Sequence, residues 1–271
     1  MYLGKLFQIN MKLSTGRIRL FIGFFLFLQI TSCREASQQE TTVEETQDND
    51  DVSLPFNERL KKFIERELNI PQGEKYGLKL YEEHLNDDGK KDIIITVNRL
   101  EHAITSAESQ NKVSKASSIG FFGKFNYVIY YSSITNKFLP PIPFGSTPQR
   151  ELGISFENIS SEKHKDLVVD YAIRNSQFRK VFLFMDDQPH YVFHWKRYDG
   201  WGTENELEAY CFAYGTGSYS EVKDIIINRA EMKNIGKDDD YDTIQPQINC
   251  TDILVKRFFY NTKDGKYYTP N

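Results

Sequence analysis

The chain has no apolar stretch long enough to span a bilayer as a helix. Its most apolar segment, Leu20 to Ile30, has 11 residues, whereas a helix needs about 20 to cross the hydrocarbon core. An excess of positive charge is also missing. The formal net charge is −4, so the chain has no electrostatic footprint for a phosphate backbone, and nucleic-acid binding is set aside. No Gly-x-Ser-x-Gly elbow, Walker loop or dinucleotide fingerprint occurs, which leaves catalysis without a sequence signature.

What the chain does have at its start is an ordered leader. Lys12, Arg17 and Arg19 precede the apolar run, and the small polar residues Thr31 and Ser32 follow it. This is the n-region, h-region and cleavage-site order of a secretory signal. Met11 stands just before the basic cluster, so translation from Met1 and from Met11 both fit. With Lys5 the leader holds four bases and no acid, so its removal takes the net charge from −4 to −8. An acidic body does not adhere to anionic lipid by charge, so membrane attachment requires a lipid or an inserted helix.

Ile30-Thr31-Ser32-Cys33 resembles the lipobox of bacterial lipoprotein precursors, a branched apolar residue and two small ones before an obligatory cysteine. The resemblance implies that residues 1–32 are removed, that the Cys33 sulfur receives diacylglyceryl, and that the new amino terminus receives an acyl chain such as palmitate. Two or three chains anchor stably where one is marginal. The implied location is the cell envelope, at the outer membrane, on its periplasmic or surface face. An ordinary secretory signal with an incidental cysteine and an uncleaved anchor are the alternatives.

Residues 33–53 form the next part. Arg34 to Ser53 carries seven acids, one base and almost nothing to bury, so it reads as a disordered tether extended by self-repulsion. The remaining cysteines are Cys211 and Cys250. In an exported protein with Cys33 consumed by lipid, an even pair suggests one disulfide, with two buried thiols as the other possibility.

Residues 54–271 form the body, read as a single exported domain. Aromatic residues make up 14 % of the chain, with 20 Phe and 16 Tyr, and favour pleated, half-buried surfaces. Leu60, Phe63, Ile64 and Leu68 fall at helical spacing behind Asn57, a candidate cap, and predict one short amphipathic helix. Beyond it, short apolar runs bounded by polar turns predict antiparallel meanders, mainly β: Tyr76–Leu80, Asp92–Val97, Asn126–Ser132, Leu167–Ile173, Val181–Met185 and Tyr191–Trp195. Ala209–Tyr214, Asp224–Ile227 and Ile253–Tyr260 continue the pattern, and Asp264-Gly265 marks a hairpin turn. Arg99 to Ser118 reads as a long loop or weak helix.

The most suggestive motif is His84-Leu-Asn86-Asp-Asp88-Gly89-Lys90-Lys-Asp92 leading into Ile-Ile-Ile. It resembles the calcium loops of FG-GAP or integrin-type β-propeller repeats, with His84 where the family has its first acidic ligand. The resemblance implies Ca²⁺ held by Asn86, Asp88, the Lys90 carbonyl and Asp92, in propeller-like blades. Six to eight hard oxygens are what Ca²⁺ takes, and the alternative is a solvated Asn/Asp/Gly turn. Asn158–Asp166 and Thr216–Asp224 can be laid on the first stretch, with separations of 74 and 58 from one final aspartate to the next.

Three other groupings have residue types that suit a site. Asp238–Asp242 is an acidic run, ordinarily just solvated. His190 and His194 read as strand residues too far apart to share Zn²⁺. Trp195, Tyr198, Trp201 and Glu204 would suit a sugar cleft, though aromatic packing in a β core is commoner. The expectation is an envelope lipoprotein whose β-rich domain binds a protein or glycan partner. The rival is a lipid-anchored hydrolase of carbohydrate or peptide, with active groups between Tyr198 and Glu208. Buried tryptophans favour the first, and tryptophans flanking an acidic cleft the second.

Overall fold

Strands rich in Ile, Val, Phe and Tyr pair with their neighbours in sequence when short polar connections leave them nowhere else to go. The computed structural model describes residues 54–110, 123–200, 207–236, 239 and 244–269, all within the compact unit Asn49–Asn271. The leader, Cys33 and the acidic tether lie outside the described residues. The elements run α1 (Phe56–Glu67), β1 (Gly77–Glu83), β2 (Asp92–Asn98), α2 (Leu100–Ser109), β3 (Gly123–Ser132), β4 (Lys137–Phe138) and β5 (Ile142–Ser146). They continue through β6 (Gly153–Glu157), β7 (Asp166–Ile173), β8 (Ser176–Met185), β9 (Gln188–Asp199), β10 (Glu208–Gly215), β11 (Asp224–Lys233), β12 (Gln247–Asn261) and β13 (Lys266–Tyr268). The expected mainly antiparallel β architecture is what the chain forms.

The strands make three consecutive four-stranded meanders. The first is β1-β2-β3-β4, with β5 paired further along the same edge of β3. Pro140 and Pro141 fall between β4 and β5; neither can donate a ladder hydrogen bond, so the fourth strand breaks there. The other two, β6 to β9 and β10 to β13, share an eight-stranded sheet. Among the described residues, two pairs, Asp199–Glu208 and Tyr198–Ala209, join β9 to β10.

That weak seam lets the meanders stack face to face. Phe193 and Trp195 of β9 meet Phe258 of β12 with ring centroids 4.9 and 5.2 Å apart, though β10 and β11 lie between those strands in the sheet order. Val168, Val181 and Leu183 point into this layer with Ile225 and Ile227. The opposite face of the middle meander, with Leu167, Val169, Tyr171, Phe182 and Phe184, packs on Ile94, Val128, Tyr130 and Phe144 of the first. Alternation along β7 thus feeds two cores, as a strand buried on both faces requires.

Helix α1 covers the outer face of the first meander. Leu60 and Ile64, one turn apart, bury against Ile95, Val97, Ile129 and Tyr131. Its start differs from expectation: Pro55 is the N-cap, with no side-chain cap bond, and Asn57 sits within the first turn, since proline is preorganised to begin a helix. Arg99 anchors the far end, donating to both carboxylate oxygens of Glu74 at 2.6 and 2.7 Å and to the Leu68 carbonyl at 3.0 Å. The hydrogen bonds from Arg99 hold the Glu74 carboxyl below its ordinary range despite burial. The segment after Arg99 begins as a helix, α2, and residues 111–122 lie outside the described part.

Cys211 of β10 and Cys250 of β12 form the expected disulfide, with Cα atoms 5.6 Å apart and a sequence separation of 39. Closing a loop of that size contributes about 4 kcal/mol in the chain-entropy model.

The loop between the first and second strand has the same length in every meander. Residues 84–91, 158–165 and 216–223 are eight residues each, and each loop ends at an aspartate opening a strand. Seven residues before that aspartate stand Leu85, Ile159 and Gly217. Leu85 is buried between the first and second meanders and Ile159 between the second and third. At Gly217 a Cβ would lie 2.2 Å from the Ser220 carbonyl oxygen and 2.3 Å from that of Val222.

Ile159→Ala is therefore expected to lower unfolding free energy by about 2–5 kcal/mol in urea titration. Gly217→Ala should destabilise by about 1–3 kcal/mol, because backbone must move. A neutral Ile159→Ala would contradict the stacked-core description.

Candidate functional site

The three aspartates that end the loops are almost wholly buried: Asp92 and Asp166 are 0 % exposed and Asp224 1 %. Such a carboxylate needs donors on every side, and each finds them in its own loop and in the following strand. Asp92 accepts from the Ser133 amide and hydroxyl at 2.9 and 3.1 Å, from Tyr130 at 2.9 Å and from Asn86 Nδ2 at 3.1 Å. Asp166 accepts from the Ile159, Ser160 and Phe184 amides and the Ser160 hydroxyl, all within 3.0 Å. Asp224 takes the Ser218 hydroxyl at 2.6 Å, the Ser218 amide at 3.2 Å and Arg257 Nε at 2.9 Å. The loop partner is six residues before the aspartate every time. Burial pushes the Asp166 carboxyl up while these donors oppose it.

Adjacent loops are tied together. The Lys165 amide donates to the His84 carbonyl at 2.8 Å, and the Lys223 amide to the Ile159 carbonyl at 2.9 Å. His164 donates from Nδ1 to Asp87 at 2.9 Å. That hydrogen bond draws the Asp87 carboxyl below its ordinary range.

The proposed calcium ligands fall inside the first of these loops, and most of their oxygens are already engaged. Asn86 Oδ1 accepts from the Asp88 amide at 3.1 Å, Asp88 Oδ1 from the Lys90 amide at 2.6 Å, and the Lys90 carbonyl from His84 Nδ1 at 3.1 Å. Asn86 turns its amide nitrogen, not its oxygen, toward Asp92. Oδ2 of Asp88 is the one buried oxygen of this set with no partner. The residues as placed do not fit a shell of six to eight oxygens. Among the described residues no group of three or more His, Cys, Asp or Glu is placed to hold a metal ion.

The remaining sequence candidates are dispersed. His190 Nε2 meets the Met185 carbonyl at 3.1 Å, whereas His194 Nε2 lies 2.9 Å from the Tyr171 hydroxyl. A register shift on β9 between Phe193 and Tyr191 separates the two rings. Trp195 is half-buried against Tyr210 and Phe258. Tyr198 is fully buried. Trp201 and Glu204 lie outside the described residues, as do Asp238 and Asp240 to Asp242; Asp239 caps the Gly236 amide. The carboxylates flanking Trp201, Asp199 and Glu208, both sit near Lys196. Hydrogen bonds from Ser176 to Asp199 and from Lys196 to Glu208 lower both below the ordinary carboxylate range.

A cleft that sequence reasoning missed opens at the far end of the meanders from the aspartate loops. It has a volume of about 630 Å³ and lies between the approach to β6, the β7–β9 ladder and the start of β12. Asp170, in the middle of β7, faces Arg179 across the β7–β8 pair. Arg179 donates to it through Nε at 2.8 Å and Nη2 at 2.9 Å, and Arg197 through Nη1 at 2.8 Å. Burial works against the Arg179 charge, but Asp170 prevails and raises its pKa. The Arg179 guanidinium also lies 4.7 Å over the Phe212 ring of the next meander. Arg150 lines the same cleft and donates to the Tyr198 hydroxyl at 2.7 Å. A signal did exist: Asp170 interrupts Leu-Val-Val-Asp-Tyr-Ala-Ile, a run that otherwise reads as buried on both faces.

No protein-family model matches the chain, and no curated protein and no solved structure matches it.

Asp166→Asn places an amide nitrogen against amide and hydroxyl donors, so a loss of about 2–4 kcal/mol is expected in chemical denaturation. Removal of divalent ions with EDTA, followed by millimolar Ca²⁺, should move Tm by less than about 1 °C either way. A clear Ca²⁺-dependent rise in Tm would restore the calcium reading of Asn86 to Asp92.

Proposed function

We propose that this chain is a lipid-anchored protein of the bacterial cell envelope whose β domain binds a partner and performs no catalysis. The observation that carries the reading is the pairing of Cys211 with Cys250. Of three cysteines in the chain, that pair leaves Cys33, the residue that closes the lipobox-like Ile30-Thr31-Ser32-Cys33. A structural disulfide belongs to an oxidising compartment, and an export signal with a terminal cysteine is what would bring the chain there and hold it. In this proposal residues 1–32 are the signal, Cys33 carries the lipid, residues 34–53 are the spacer, and the stacked meanders stand off the outer membrane.

Binding is favoured over the hydrolase reading by the state of the carboxylates. A glycosidase needs one carboxyl kept protonated near neutral pH. Asp199 and Glu208, the described acids in the segment singled out for catalysis, are both held ionised beside Lys196. Trp195 is given over to packing between meanders.

Expression of the full precursor and of Cys33→Ala in a Gram-negative host tests the anchor. The mature wild type should partition with membranes and carry the mass of diacylglyceryl plus an acyl chain, and the variant should carry neither. A soluble, unlipidated wild type would overturn the proposal.

A further inference from the structure

We infer that the arginine-lined cleft between the second and third meanders binds an organic carboxylate, specifically a sugar acid. The inference rests on reading the domain as a binding module. Among the described residues, two guanidinia, Arg179 and Arg197, share the single carboxylate of Asp170, a surplus of one positive charge in a partly buried place. Arg179 is consumed: its Nε and Nη2 both bond Asp170, and its side chain is 14 % exposed. Arg197 is not. Its Nη1 serves Asp170 at 2.8 Å and Gln177 at 3.2 Å, while its Nε is a buried donor with no partner among the described residues.

The edge of a guanidinium formed by Nε and Nη2 presents two parallel N–H bonds, the geometry that a carboxylate accepts bidentately. Arg197 is 26 % exposed and lines the cleft. A buried N–H without an acceptor costs about 1–3 kcal/mol, and an anion seated on that edge removes the cost along with the surplus charge. Glu151, the other acid on the cleft wall, is paired with Lys79.

The rest of the lining selects the kind of anion. Gln149, Gln177 and Gln245 bring amides, which both donate and accept as sugar hydroxyls require. Leu152, Pro246 and Ile248 supply an apolar wall for the C–H face of a ring. Small-molecule sites have volumes of about 300–1,000 Å³, and a cleft of about 630 Å³ accepts one or two sugar units. An inorganic anion would use the charge and leave amides and wall idle.

The test is calorimetric titration of the full chain in detergent with galacturonate and digalacturonate, beside galactose and inorganic phosphate, at physiological salt. Saturable binding of the uronates below ~10 mM, with galactose and phosphate at least about tenfold weaker, is the expected result. Arg197→Lys keeps the charge and the Asp170 pair but lacks the fork, so uronate binding should weaken about tenfold with Tm unchanged. Absence of uronate binding, equal binding of galactose, equal binding of phosphate, or full affinity in Arg197→Lys would each overturn the inference. None of these outcomes bears on membrane partitioning, so the anchor stands or falls separately.

Discussion

An ionised carboxylate taken out of water costs several kcal/mol unless donors surround it, and each of the three meanders meets that demand in the same way. The aspartate that opens the second strand draws in the side chain six residues earlier and groups from the strand that follows. An eight-residue connection is thereby pulled into one conformation, and the residue seven places before the aspartate is held over the edge of its own sheet. In the first two loops that residue is Leu85 or Ile159, which enters the core shared with the next meander. Loop hydrogen bonding and layer packing are thus one device. The backbone bonds from Lys165 and Lys223 to the preceding loops then fix how far one layer sits from the next.

Stacking also decides where open space is left on the domain. The inner faces are filled by Val, Ile, Phe and Tyr, and α1 closes the outer face of the first meander. The third layer ends differently. Its loop carries Gly217 in place of an inserted side chain, and Tyr219, Ile253, Leu254 and Tyr268 are exposed on it. Space for a small ligand arises where the β9–β10 seam lets the second and third layers splay, at the end away from the aspartate loops. That is where Asp170, Arg179 and Arg197 meet. A chain with a net charge of −4 thus brings two arginines onto one aspartate at a junction between layers.

Much of the secondary structure was legible because hydrophobic alternation and turn chemistry are local. The helix with Leu60 and Ile64, the aromatic strands around Asp186-Asp187, and the Asp264-Gly265 hairpin all follow from nearest neighbours. Asp186, Asp187 and Gly265 adopt the positive φ that such turns require. The kinship of the three aspartate loops was also visible, while their unequal spacing concealed it. The extra residues of the first interval lie where α2 and the segment beyond it join β2 to β3, a connection that units with hairpins at that place do not need. Strand β6 and the broken edge of β4 and β5 were not foreseen, since short, proline-flanked edge strands have little pattern of their own.

Sequence alone determined that a basic and apolar start, a cysteine and an acidic stretch precede a β-rich body, because charge, hydropathy and strand periodicity are all read within short windows. It also placed Asp92, Asp166 and Asp224 at strand starts. Tertiary structure decided what those aspartates do, since their carboxylate oxygens accept from Ser133, Tyr130, Phe184 and Arg257, donors 18 to 41 residues away. It likewise decided the pairing of Cys211 with Cys250 and the meeting of Asp170 with two arginines. Contacts across a stack depend on which faces are turned together, and that is set by the whole set of layers rather than by any segment of chain.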